Sequence, residues 1–125
     1  MVSDVFELVA IDHVQLAMPK GEEEKARAFY SGVLGMTELV KPDGLAIRGG
    51  AWFKAGPVQI HLGVEDNFRP AKKSHIALAI RNAVSLRSNL SSYGCRTQDD
   101  DVISGVKRFY TDDCFGNRIE FIELE

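Results

Sequence analysis

The residues best suited to chemistry in this 125-residue chain are its three histidines, His13, His61 and His75, together with Glu120. Three imidazoles and one carboxylate make a borderline-hard donor set, suited to Zn²⁺, Ni²⁺, Co²⁺, Mn²⁺ or Fe²⁺. Around a metal that prefers six ligands, four protein donors leave two positions open, and a substrate with adjacent oxygens could fill both. Each residue alone has an ordinary reading: a histidine hydrogen-bonded within a strand, or a glutamate facing solvent. Their placement is what joins them.

That placement follows from an internal repeat. Residues 13–18, His-Val-Gln-Leu-Ala-Met, match residues 75–80, His-Ile-Ala-Leu-Ala-Ile, and Ile60-His61-Leu62 matches Ile119-Glu120-Phe121. Two matches at nearly one offset describe two copies of a supersecondary unit, a paired module and not a solenoid. His13 and His75 are then equivalent, on the first strand of each copy. His61 and Glu120 are equivalent, on the last. Side chains alternate across a strand, so His61 shares a face with Gln59 while Ile60, Leu62 and Val64 point oppositely. Glu120 likewise opposes Ile119 and Phe121, and His75 opposes Ile76, Leu78 and Ile80. Apolar faces can pack on helices; if the two sheets curve toward one another, the four polar groups can converge.

The elements that must position them read alike in the two halves. In the first, alternation predicts a strand over 11–18, with His13, Gln15 and Ala17 on one face. Gly21 and the acidic run Glu22–Glu24 open a helix, whose dipole favours negative charge in the first turn. Ala26, Phe29, Tyr30 and Val33 form its buried stripe and Gly35 its C-terminal cap. Strands follow around 38–40, 45–54 and 58–64, punctuated by Pro42-Asp43-Gly44 and Gly56-Pro57. The second half predicts a strand over 74–80, then a helix over 82–93 with Ala83, Leu86, Leu90 and Tyr93 inward and Gly94 ending it. Strands near 96–98, 106–111 and 118–124 complete it, the last two joined by an Asp113–Asn117 hairpin loop. Each half is β-α-β-β-β, and the fold class is α+β: one domain over residues 1–125, with modules 1–66 and 72–125 joined by a polar linker, 65–73.

The bulk properties exclude other classes. The chain is 45% apolar and 26% charged, with a net charge of -3, and it shows no clustered Lys and Arg of the kind a nucleic-acid face needs. No apolar run approaches the roughly 20 residues that span a bilayer. The sequence Met1-Val2-Ser3-Asp4-Val5-Phe6-Glu7 lacks the basic start of a signal peptide. Cys95 and Cys114 form no Cys-x-x-Cys pair and read as reduced thiols, so a cytoplasmic location is expected. Arg48, Trp52, Arg108 and Tyr110 are candidate pocket residues: the arginines and Tyr110 to orient an anion, Trp52 and Phe53 to line an apolar wall. Arg69 is a further candidate cation. Taken one by one, the arginines and Tyr110 read more simply as surface charge on an apolar stem, and Trp52 and Phe53 read equally well as core or interface aromatics. Asp99-Asp100-Asp101 lacks the spaced ligands and glycine of a calcium loop and reads as a solvated turn.

Taken together these residues resemble the vicinal oxygen chelate superfamily, which includes glyoxalase I, methylmalonyl-CoA epimerase, extradiol dioxygenases, fosfomycin-resistance thiol transferases and bleomycin-binding proteins. The resemblance spans nearly the whole chain. Its carriers are Ile11-Asp12-His13-Val14, the helix end from Ala28-Phe29-Tyr30 to Leu34-Gly35, Ser74-His75-Ile76-Ala77, and Phe109-Tyr110 through Asp113, Gly116-Asn117 and Ile119-Glu120. It implies paired modules forming a curved, mostly antiparallel sheet around a metal pocket, with ligands at the four positions above. The chain departs from glyoxalase I in having His61 where that enzyme has Glu, which leaves Glu120 as the candidate base.

The activity so implied is metal-assisted proton abstraction next to a carbonyl, a glyoxalase-like lyase or isomerase reaction on a small substrate with vicinal oxygens. Alternatives are an Fe²⁺ extradiol-type dioxygenase, a thiol transferase, and a binding protein that sequesters a small molecule. Short members of the family usually form homodimers, some of which build the metal site from the first module of one chain and the second of another. No nucleic-acid or membrane partner is expected.

Overall fold

The computed structural model describes residues 4–124. The first module comprises β1 (Val14–Met18), α1 (Glu23–Ala26), a π-helical continuation (Arg27–Val33), β2 (Thr37–Leu39), a short α2 (Asp43–Ala46), β3 (Ala51–Ala55) and β4 (Val58–Val64). The second comprises β5 (Ile76–Ile80), α3 (Ala83–Tyr93), β6 (Gln98–Asp100), β7 (Arg108–Asp112) and β8 (Arg118–Glu123). The strands form two four-stranded sheets ordered β1-β4-β3-β2 and β5-β8-β7-β6. In each, the first strand pairs parallel with the last and the remaining pairs are antiparallel. The duplication expected from the repeat is therefore present strand for strand, in an α+β fold.

Alternation along the strands separates the two faces of each sheet. In the first, Ala51, Phe53, Ile60 and Leu62 are buried against Ala26, Phe29, Tyr30 and Val33 of the helix. In the second, Phe109, Ile119 and Phe121 belong to the same continuous core as Leu90 of α3. The modules meet through their helices. The rings of Phe29 and Tyr93 lie 6.1 Å apart, and Asn89 Nδ2 donates to the Val33 carbonyl at 3.2 Å. Two further polar contacts cross between modules: the buried Tyr30 hydroxyl donates to Asp113 at 2.6 Å, and Asn117 Nδ2 donates to the Ala17 carbonyl at 2.9 Å.

Several boundaries differ from expectation. β1 starts at Val14 and β5 at Ile76, so His13 and His75 stand just before their strands. The segment expected as strand 45–54 begins instead as α2, where Pro42, at φ -56° and ψ 144°, stands as the non-helical residue before a helical start at Asp43. Gly49 and Gly50, at φ 77° and 84°, then redirect it into β3. A side chain at Gly50 would place Cβ 2.1 Å from the Leu62 carbonyl oxygen, so this crossing requires glycine. The triple aspartate is no solvated turn: Asp99 and Asp100 lie in β6, and Asp100 pairs with Arg108 at 3.1 Å. The first helix widens to π geometry, Leu34 N–H reaching back to the Phe29 carbonyl at 3.0 Å.

Candidate metal-ligand pairs and the adjoining pocket

The sheet faces opposite the helices carry the chemistry. On the first, register places His61 between Gln15 of β1 and Trp52 of β3. The three rings His13, His61 and Trp52 form one stack, with centroids 4.0 Å apart at both steps. This stack buries His61 to 4% exposure. Burial, with a smaller contribution from the neighbouring His13, pushes the His61 imidazole below its usual 6.5 and favours the neutral, metal-ligating form. Its Nε2 lies 2.6 Å from Gln59 Oε1. His13 Nδ1 donates to Asp12 Oδ1 at 2.8 Å, which leaves Nε2 available and holds the Asp12 carboxyl below its usual value.

On the second face, register places Glu120 between Ala77 and Tyr110. His75 Nδ1 faces the Lys73 carbonyl oxygen at 2.9 Å, and since a carbonyl only accepts, Nδ1 carries the proton. Nε2 then meets Glu120 Oε1 at 2.9 Å, so the two atoms share one proton or one cation. An imidazole tethered by its far nitrogen to an oxygen acceptor is the arrangement that aims a histidine at a metal. Glu120 Oε2 accepts from Arg108 at 3.2 Å. Burial alone would raise the Glu120 pKa; the hydrogen bonds from His75 and Arg108 outweigh it and hold the carboxyl below its usual 4.5. Arg108 also reaches Asp100, and its Nε is buried without a partner among the described residues.

The four candidate ligands thus stand as two pairs, His13 with His61 and His75 with Glu120, on separate sheets. Among the described residues no three His, Cys, Asp or Glu side chains group closely enough to hold one ion. The donor chemistry fits a divalent metal, with a neutral imidazole at His61 and an ionised, oriented carboxylate at Glu120, but each sheet supplies half of the set. His13 and His75 do border one cavity of about 530 Å³, between the starts of β1, β4 and β5.

The candidate pocket residues divide. Trp52 is in the histidine stack, and Tyr110 packs its edge on His75 at 5.5 Å. Arg108 is committed to Glu120 and Asp100, so it positions the carboxylate instead of meeting an anion directly. Arg48 and Arg69 are exposed, outside both ligand pairs. Sequence reasoning passed over Asp12, Gln59 and Asp100 as partners of these groups; Gln59, two residues before His61, carried the one available signal, the period of 2. Both cysteines are free, and burial raises each thiol, that of Cys114 to about 12, so neither is a nucleophile at neutral pH. None of the helices formed by described residues is long and apolar enough to cross a membrane.

This fold, duplicated around a histidine-and-carboxylate face, defines a class. The chain belongs to the glyoxalase/bleomycin resistance protein/dioxygenase superfamily, whose family model matches residues 10–121. Among solved structures it is similar to a glyoxalase family protein from Bacillus anthracis, at 47% identity and a TM-score of 0.91, over 97% of this chain and 99% of that one. It shares the fold of the fosfomycin resistance protein FosX from Listeria monocytogenes, at 15% identity and a TM-score of 0.75 over 95% and 96% of the two chains. The antibiotic-binding protein TnmS3 from Streptomyces sp. CB03234 is similar at 20% identity and a TM-score of 0.68, over 94% of this chain and 100% of that one. No curated protein matches the chain.

Proposed function

We propose that this protein is a metal-dependent lyase or isomerase of the glyoxalase type, acting on a small substrate with vicinal oxygens by removing a proton next to a carbonyl. The observation that carries this reading is Glu120, a buried carboxylate held ionised at neutral pH and set 2.9 Å from a histidine whose other nitrogen is tethered. His13, His61, His75 and Glu120 would hold the ion. A divalent metal (Ni, Zn, Co, Mn or Fe) supplies Lewis-acid stabilisation of the negative charge that develops on two substrate oxygens.

Glu120 takes the proton as the C–H bond breaks and returns it to the neighbouring carbon. Arg108 sets the orientation of that carboxylate through Oε2. Trp52 and Tyr110 wall the two faces and exclude water from the reacting carbon.

Because each sheet offers only one pair of ligands, we propose further that the protein works as a homodimer. The first-module face of one copy then lies over the second-module face of the other. A two-fold axis makes two such sites at once, since the same contact occurs in both directions.

A second reading has its own support. The His13, His61 and Trp52 rings lie within 14° and 7° of parallel, a flat platform on which a planar ligand could stack without reaction. Elemental analysis of the purified protein, beside His75→Ala, tests the choice. Stoichiometric metal lost in the variant, with turnover of a 2-oxoaldehyde–thiol adduct by the loaded wild type, is the expected result. No metal uptake from Ni²⁺, Zn²⁺, Co²⁺, Mn²⁺ or Fe²⁺ would leave the binding protein as the reading to pursue.

A further inference from the structure

Beside Glu120 the same face of the second sheet opens into a cavity of about 520 Å³, bordered by Lys72, Arg96, Tyr110, Asp112 and Arg118 among others. Its charges are unevenly matched. Asp112 is the direct cross-strand neighbour of Arg118, yet its carboxylate pairs with Lys72 at 3.1 Å, and Lys72 also donates to the Gly116 carbonyl at 2.6 Å. Arg118 instead sits over Tyr110, its guanidinium carbon 3.9 Å from the ring centroid. Neither Arg118 nor Arg96 has a carboxylate partner among the described residues, whereas Arg27, Arg87 and Arg108 each have two. A guanidinium stacked on an aromatic ring keeps its in-plane donors free for an acceptor approaching from the side.

We propose that Arg118 and Arg96 form a subsite for an oxyacid anion, a carboxylate or a phosphoryl-type group, carried by the substrate that reacts at Glu120. This rests on the reading of Glu120 as the base and adds the substrate's charge to it. Arg118 and Glu120 are two residues apart on one strand and share a face, so their backbones are separated by about 7 Å. The anionic group and the carbon that loses its proton therefore sit within a few bonds of one another, and the substrate is a compact anion. Lys72, neutralised by Asp112, shapes the rim without adding free charge.

The test is a titration of inorganic phosphate, and in parallel acetate, into chelator-treated protein at low ionic strength, followed by backbone amide shifts. Saturable binding that perturbs Tyr110 and Arg118, weakened about tenfold or more in Arg118→Gln and also weakened in Arg96→Gln, is expected, because charge-assisted hydrogen bonds to the anion are lost. Unchanged thermal midpoints show that the variants fold. No saturable binding of either anion, or binding indifferent to both substitutions, overturns the subsite. His75→Ala separates the two readings. If it binds phosphate as the wild type does while neither protein takes up metal, the subsite stands and the metal-dependent reaction falls. Metal uptake by the wild type without anion binding leaves the reaction and removes the subsite.

Discussion

His61 is a neutral imidazole kept so by the rings on either side of it, and this couples stability to pH. Its folded pKa lies below 6.5, so between those two values the unfolded chain binds more protons than the native one, and stability rises with pH. On acidification the loss begins below about pH 6.5 and continues as pH falls through the folded value. Glu120, whose carboxyl is also depressed, adds a second loss below 4.5 with the same sign. Urea midpoints recorded from pH 8 to 3 should therefore fall in two stages, and His61→Asn should flatten the first. A first stage that survives in His61→Asn would mean that another group carries it.

At the scale of elements, the tight crossing at Gly50 is the most exacting point of the first sheet. Gly50→Ala would force a positive φ on a residue with a side chain and drive Cβ into the Leu62 carbonyl. Its cost should reach about 2 kcal/mol or more. Gly63→Ala is the control: its Cβ meets only the movable end of Gln15, and its backbone needs no positive φ. We expect a change of about 1 kcal/mol or less there, with both values read from urea denaturation. Equal effects at the two positions would refute this account of the crossing.

The same loop shows where the sequence stops being legible. β4 is where alternation placed it, residue for residue, since Ile60 and Leu62 face a core and Gln59 and His61 do not. Residues 45–50 carry no such pattern. Their path depends on Glu23 Oε2 accepting from Gly50 N–H at 2.8 Å, a contact 27 positions away that no local rule anticipates. The fate of the aspartates is similar. Asp100 became a strand residue because Arg108 on the neighbouring strand takes its charge. Repetition revealed the identities of the four candidate ligands and assigned one pair to each module; that the two pairs do not converge depends on how the modules dock, which sequence spacing does not encode.

For the whole molecule, that division makes a prediction no single chain can satisfy by itself. A double variant His13→Ala/His61→Ala lacks one pair, and His75→Ala/Glu120→Gln lacks the other; each should bind no metal and turn over no substrate. Unfolded together and refolded as a mixture, they should form heterodimers with one intact site and one doubly broken one. About a quarter of wild-type metal capacity and activity should return, for random pairing in a two-fold dimer. Sites built within one chain would give no recovery at all.

The polar bridges from Tyr30 to Asp113 and from Asn117 to the Ala17 carbonyl bear on how such a protein changes over generations. A buried hydrogen bond is either made or lost, at about 1–3 kcal/mol when one partner is stranded, so the two modules cannot drift past each other in small increments. Substitutions on one reactive face leave its counterpart aligned, because Tyr30, Asp113 and Asn117, which fix the joint, are buried and belong to neither ligand pair. A lineage can therefore revise the wall around Trp52 or the cationic rim around Arg118 separately, trying new substrates on one half while the other keeps its geometry.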